Sequence, residues 1–403
     1  MMKRLALFLF TTFAFAQSKQ EIKEGKIRRD KYLFTVEANP KKFNATVKFD
    51  YVYDELLIPV TINGKTYNFL FDTGAVTILS PELVAELGLK PVTSNKLIDA
   101  AGVQTEAPIF MLDNLSVSGV TFSKVGCASM SLDSFSTVFC SKIHGVFGTN
   151  MMRLGNWKIN YDSHTIDFST DKIKPGFEYN TVDFEPNFSG SPIVHLITGG
   201  IRFPALIDTG NNKYIDLPDT VYKQSRLPKT AISRKSHGRA SFSLSGNNNQ
   251  EEIAVLADSL YFGEIALTNQ RLGVSPSSQI LIGNKFLKQF KEIIISWDKS
   301  KIYVPKQTLP LEKEFAFGFT PFIEDGKLVV VEIWEGSEAK NKGMAINDVI
   351  LKVNEVNMTA MTPELWCEFL GMTKDKESVT VEFQKADGST NSLQLNRFEL
   401  LKL

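Results

Sequence analysis

Phe69-Leu70-Phe71-Asp72-Thr73-Gly74 is the stretch on which the reading of this chain turns. It returns 136 residues later as Ala205-Leu206-Ile207-Asp208-Thr209-Gly210. Each copy is an apolar, strand-like run ending in Asp-Thr-Gly. Apolar residues and a proline follow each, in Ile78-Leu79-Ser80-Pro81 and Ile215-Asp216-Leu217-Pro218. A short helix is expected at both prolines, because proline suits the first helical position. Further along, Gly102 and Gly238 fit hairpin tips. Asp113 and Asp258 follow and are expected to cap turns. Val146-Phe147-Gly148 and Leu281-Ile282-Gly283 come next, with an Asn soon after each. Tyr161-Asp162 and Trp297-Asp298 then open what read as closing hairpins. Many short apolar runs separated by Gly, Asn and Asp make the expected class mainly β.

Asp-Thr-Gly occurring once carries little, but two copies in matching contexts carry much. An Asp at the mouth of a strand can face its twin across a two-fold axis. The glycines Gly74 and Gly210 let the backbone approach and aim an N–H at the carboxylate. Thr73 and Thr209 can reach across and hold the two loops in register. Two carboxylates that close share one proton. One then serves as general base on a water and the other as general acid. That chemistry needs neither a metal nor a cofactor, so none is expected.

Residues 46–307 resemble the retropepsin-like and pepsin-like aspartic peptidases. The motifs that carry the resemblance are Phe71-Asp72-Thr73-Gly74-Ala75, Ile207-Asp208-Thr209-Gly210 and the apolar pairs ending at Gly148 and Gly283. The resemblance implies a bilobal acid-protease fold of two pseudo-symmetric β-barrel lobes, 46–170 and 171–307, with Asp72 and Asp208 catalytic. It implies structural roles for Gly148 and Gly283. It makes the hairpins around Gly102 and Gly238 flaps over a polypeptide substrate. With both lobes in one chain, it implies a monomer built as an internal pseudo-dimer. The second loop departs from the pattern. Asn211-Asn212-Lys213 stand after its Gly210, with one extra residue before Pro218. Asn211 either supplies a different hydrogen bond or distorts that loop. The first flap has no Tyr, which pepsin-like members carry.

The chain runs on to residue 403, long enough for two or three domains. Composition shifts after Pro305 and Pro310. Glu335-Gly336-Ser337-Glu338-Ala339, Gly343-Met344 and Asn347 through Asn354 resemble a PDZ domain of the bacterial protease-associated kind, over 310–403. The resemblance makes Phe317-Gly318-Phe319 the loop that takes a peptide's C-terminal carboxylate in a nest of backbone N–H groups. The next strand would accept the peptide as an added strand, walled by a helix from Pro363. An intramolecular lid is the other reading of this segment.

Forty-five basic residues balance forty-five acidic ones. That excludes a basic nucleic-acid footprint and an acidic solvating tail. Four histidines, and no His-Glu-x-x-His or Cys-x-x-Cys, leave no metal motif.

Lys3-Arg4, the apolar run Leu5 to Ala16 and the site Ala14-Phe15-Ala16 read as a signal peptide over 1–16. The protein is therefore expected in the periplasm, cell envelope or medium, with no membrane span after cleavage. Residues 17–45 are an edge strand, a pro-segment or disorder. In an oxidising compartment Cys127 and Cys140, thirteen apart, are expected to pair. Cys367 is left over as a small buried side chain.

The leading expectation is an exported aspartic endopeptidase that also binds peptide or protein C-termini. The second is a decayed, binding-only scaffold of the envelope.

Overall fold

In a computed structural model of the chain, the described residues are 19–98, 102–239, 242–243, 246–247, 250–275 and 277–402. The expected signal peptide lies outside them. The architecture is mainly β.

Asn63-Gly64, both at positive φ, make a two-residue turn between the strands Glu55–Ile62 and Lys65–Phe71. Asn-Gly suits such a turn because both positions need left-handed backbone. Gly199-Gly200 do the same between Pro192–Thr198 and Ile201–Ile207. The second strand of each hairpin is buried toward its end and carries an Asp just past it.

Lys65–Phe71 runs parallel to Gly145–Phe147, which pairs antiparallel with Ile78–Leu79. Ile201–Ile207 runs parallel to Leu281–Ile282, which pairs antiparallel with Ile215–Pro218. A six-stranded sheet joins the halves. Its order is Tyr179–Asp183, Lys301–Pro305, Glu292–Ser296, Asn156–Asn160, Thr165–Ser169 and Asn44–Lys48. The central pair sets Trp157 beside Ile295. One large core spans both halves, from Val36 to Leu309. Within it Trp157 stacks on Phe168 at 4.7 Å.

The segment 17–45, where it is described, holds a helix, Lys19–Arg28, and leads through two edge strands. Glu37–Asn39 pairs with 121–123, and Asn44–Lys48 with 165–169. Arg153 stacks its guanidinium 4.2 Å from the Phe34 ring, and Arg29 lies 4.7 Å from the same ring.

The C-terminal hundred residues have a core of their own, including Leu328, Val330, Ile350, Trp366, Phe369, Val381 and Leu395. Phe319–Glu324, Lys327–Trp334, Val349–Val353, Ser378–Gln384 and Thr390–Asn396 lie side by side over two helices, Glu338–Asn341 and Pro363–Thr373. Thr362 caps the longer helix, accepting from Leu365 N at 3.2 Å, with Pro363 at its first position. This sheet is continuous with that of the second half. Strand Ile232–Gly238 pairs with Lys327–Trp334, setting Ser236 opposite Trp334 and Gly238 opposite Glu332.

The cysteine expectation is corrected. Cys140 bonds to Cys367, and Cys127 is free and buried. Cys127 lies in the middle of a sheet, on strand Val120–Ser129 opposite Phe110, and its thiol donates to the Phe110 carbonyl at 3.6 Å. Cys140 follows the helix Asp133–Val138 at φ 51° and packs against the C-terminal core. Beside it, Trp366 Nε1 donates to Thr137 O at 3.0 Å. The insertion around 133–142 is thus bonded covalently to the C-terminal unit while Phe139 and Ile143 pack in the first half. Two smaller expectations also fail. Asp113 and Asp258 sit within strands, exposed, and cap no turn.

Candidate active site

The parallel strand pairs bring the two Asp-Thr-Gly loops together. Asp72 N donates to Phe147 O at 3.1 Å, and Asp208 N to Ile282 O at 3.0 Å. These bonds continue each parallel ladder by one residue and fix where each Asp leaves its strand. Thr73 Oγ1 donates to Ile207 O at 2.7 Å and accepts from Thr209 N at 3.0 Å. Thr209 Oγ1 donates to Phe71 O at 2.7 Å and accepts from Thr73 N at 3.0 Å. Both threonines are fully buried. Four reciprocal bonds therefore lock the loops in one register, and a buried loss on either side leaves a backbone group unpaired.

Gly74 N donates to Asp72 Oδ1 at 2.6 Å and Gly210 N to Asp208 Oδ1 at 3.0 Å. The loops also cross over. A Cβ on Gly74 would sit 2.6 Å from Asp208 Oδ1, and one on Gly210 would sit 2.5 Å from Asp72 Oδ2. The two carboxyls hydrogen-bond to each other. Burial pushes both up from the ordinary carboxyl range. At Asp208 the negative neighbour Asp72 pushes further in the same direction. At Asp72 the N–H groups of Gly74 and Ala75 and the bond from Asp208 pull back. The arrangement is a deep carboxyl pair with a partly accessible face, in which one proton is favoured over none or two.

Gly148 and Gly283 let neighbouring backbone pass. A Cβ would fall 2.2 Å from Val76 C at the first and 2.4 Å from Lys213 O at the second. The asparagines after them tie the loops down. Asn150 Oδ1 accepts from Thr77 N and Oγ1, and Asn284 Nδ2 donates to Thr209 O at 2.7 Å.

Gly102 lies in the loop joining Pro91–Ile98 to Gln104–Val117, against Ser278 of the second half; a Cβ there would be 2.7 Å from the Ser278 Cβ. Gly238 is not a tip. It ends strand Ile232–Gly238, between Gln250 and Glu332, and a Cβ there would fall 2.0 Å from Val331 O. The hairpin turn lies beyond it, largely outside the described residues. Phe317-Gly318-Phe319 belongs to the C-terminal unit, where Phe317 and Phe319 pack on its core. Gly318, at φ +91°, accepts at its carbonyl from Trp334 N at 2.9 Å and from Ser337 Oγ at 3.3 Å.

Sequence reasoning missed Glu55. It is 1% exposed, and Asn284 Nδ2 approaches its Oε2 at 3.4 Å. Tyr161 Oη donates to Asn284 Oδ1 at 3.0 Å. Burial raises the Glu55 carboxyl well above its usual range, and the negative charges of Asp208, Asp72 and Asp54 add to it. Nothing local in Tyr53-Asp54-Glu55-Leu56 marks this residue as buried. The recurring Asn after each apolar-apolar-Gly was the one available pointer to this corner. Among the described residues no group of three His, Cys, Asp or Glu is placed to hold a metal.

A family model described as Aspartyl protease matches residues 58–151. The matched stretch holds Asp72, its loop and Gly148, about a quarter of the chain. It ends before the second Asp-Thr-Gly and the C-terminal unit. No curated protein matches this chain.

Proposed function

We propose that this protein is an aspartic endopeptidase in which Asp72 and Asp208 hydrolyse peptide bonds with a water held between them. The match to aspartyl proteases over 58–151 supports peptidase activity. The observation that carries the finer reading is the reciprocal clamp, which presents one carboxyl from each half at a shared face. The ionised member takes a proton from water as its oxygen attacks the scissile carbonyl carbon. The protonated member gives its proton to the carbonyl oxygen. The resulting diol collapses as the newly protonated member gives its proton to the amide nitrogen, the other member takes a proton from a diol hydroxyl, and the C–N bond breaks, which returns the pair to one shared proton. No covalent enzyme intermediate forms. One chain supplies both loops, so a second copy is not required.

Asn211 does not pull the second loop away from this arrangement, since Gly210 N still reaches Asp208. We read residues 310–403 as a PDZ domain. The strand Phe319–Glu324 pairs on one side only among the described residues, which leaves an edge for a peptide terminus. We place the mature protein in an exported, oxidising setting, in keeping with the bond between Cys140 and Cys367.

The test is mass-spectrometric cleavage of a diverse peptide library from acidic to neutral pH. Cleavage is expected in the wild type and is expected to vanish in both Asp72→Asn and Asp208→Asn. Full activity in either variant would exclude the pair.

A further inference from the structure

The extra residue in the second Asp loop has a specific structural setting. Asn211 Oδ1 accepts from Lys213 N at 2.8 Å, and Asn211 Nδ2 donates to Asp216 Oδ2 at 3.3 Å. The Asn211 carbonyl accepts from Asn284 N at 2.7 Å. This turn aims the half-buried Lys213 at two carboxylates. Its Nζ lies 3.4 Å from Glu252 Oε2 and 4.0 Å from Asp216 Oδ1. Asp216 is buried on Ile215–Pro218, and Glu252 comes from strand Gln250–Phe262, opposite Ser236. Ser236 Oγ donates to Glu332 Oε1 at 2.7 Å, and Thr320 Oγ1 donates to Glu332 Oε2 at 2.5 Å. Glu332 is buried, and it belongs to the C-terminal unit.

We propose that Lys213 is a positioning residue for the Asp208 loop, held by Asp216 and Glu252, and that the C-terminal unit supports this cluster through Glu332, which bonds Ser236 opposite Glu252. The inference deepens the peptidase reading and rests on it for the role of Asp208. Partial burial works against the Lys213 charge, and the attraction of Asp216, Glu252 and Glu332 outweighs it. In return, Lys213 neutralises Asp216, whose negative charge otherwise bears on Asp208. A second cation facing this cluster among the described residues is Lys285, which pairs with Glu314 at 3.1 Å. The C-terminal unit thus acts on the Asp208 loop through the Glu332–Ser236 bond and through the strand Ile232–Gly238 that it pairs with.

The test compares wild type, Lys213→Met, Lys213→Arg and Glu332→Leu in the full chain. Hydrogen exchange is followed over 206–217, with 69–80 as the internal reference, and cleavage is followed against pH. Lys213→Met and Glu332→Leu are expected to speed exchange over 209–214 by about tenfold while the reference holds. Lys213→Arg is expected to preserve the wild-type pattern. Lys213→Met is also expected to move the limbs of the pH profile upward, by about half a unit or more, because Asp216, whose charge bears on Asp208, loses its counter-charge. A merely structural lysine would not shift that profile. Wild-type exchange and profile in Lys213→Met overturn the inference. A response in Lys213→Met with none in Glu332→Leu removes the C-terminal unit from it. A wild type that cleaves nothing, with the exchange pattern as expected, overturns the peptidase reading and leaves the positioning role standing.

Discussion

Thr209 and Thr73 each spend one hydroxyl on two backbone groups of the opposite loop. Thr209→Val keeps the shape and removes both bonds, leaving Thr73 N and Phe71 O buried without partners. We expect a loss of about 2 kcal/mol or more in stability by denaturant unfolding, with a larger loss of activity, and a milder effect from Thr209→Ser. Glu55 makes a pH prediction. Its carboxyl is raised above the ordinary 4.5, so the proton is held more tightly folded than unfolded. Its contribution to stability is full below pH 4.5 and is lost as pH rises through the raised value. Glu55→Gln has no proton to lose. Melting temperature followed against pH is expected to fall less steeply on the alkaline side in Glu55→Gln than in wild type. Parallel curves would show that Glu55 is not the group responsible.

Elements carry what single residues do not. The helix Pro363–Thr373 meets the 133–142 insertion through Trp366 and the Cys140–Cys367 bond, and the strand Ile232–Gly238 meets Lys327–Trp334. The C-terminal unit is therefore attached to both halves that flank the carboxyl pair. Cys140→Ser and Cys367→Ser are expected to lower the melting temperature equally, and the double variant no further than either one. A thiol assay without reductant is expected to find one thiol, and only after unfolding. Cys127 is buried, and burial pushes its thiol up to about 12, so the folded protein offers no thiolate there. Two or three thiols in the unfolded, unreduced protein would break this assignment.

At the scale of the molecule, the sequence made some features plain and hid others for physical reasons. The Asp loops were legible because strand, Asp-Thr-Gly and apolar-apolar-Gly are local patterns that occur twice, at Asp72 and Asp208. The cysteine pairing was not, because Cys140 meets a residue 227 positions away, and short spacing to Cys127 says nothing about direction. The position of Gly238 was misread for a related reason. A sheet edge recruits its neighbour by backbone groups that every residue carries, so the pairing of 236–238 with 332–334 leaves no mark in composition. Glu55 and Lys213 were missed because their meaning lies in which charges surround them, and those charges come from distant strands. The Cys140–Cys367 bond also turns the chain into a lasso. Residues 140–367 form a closed covalent loop that contains Asp208, while Asp72 lies on the tail outside it. A single nick inside that loop, self-inflicted or foreign, would leave both carboxyls in one covalent molecule. Such nicked protein would migrate as one band on a denaturing gel until reductant split it in two.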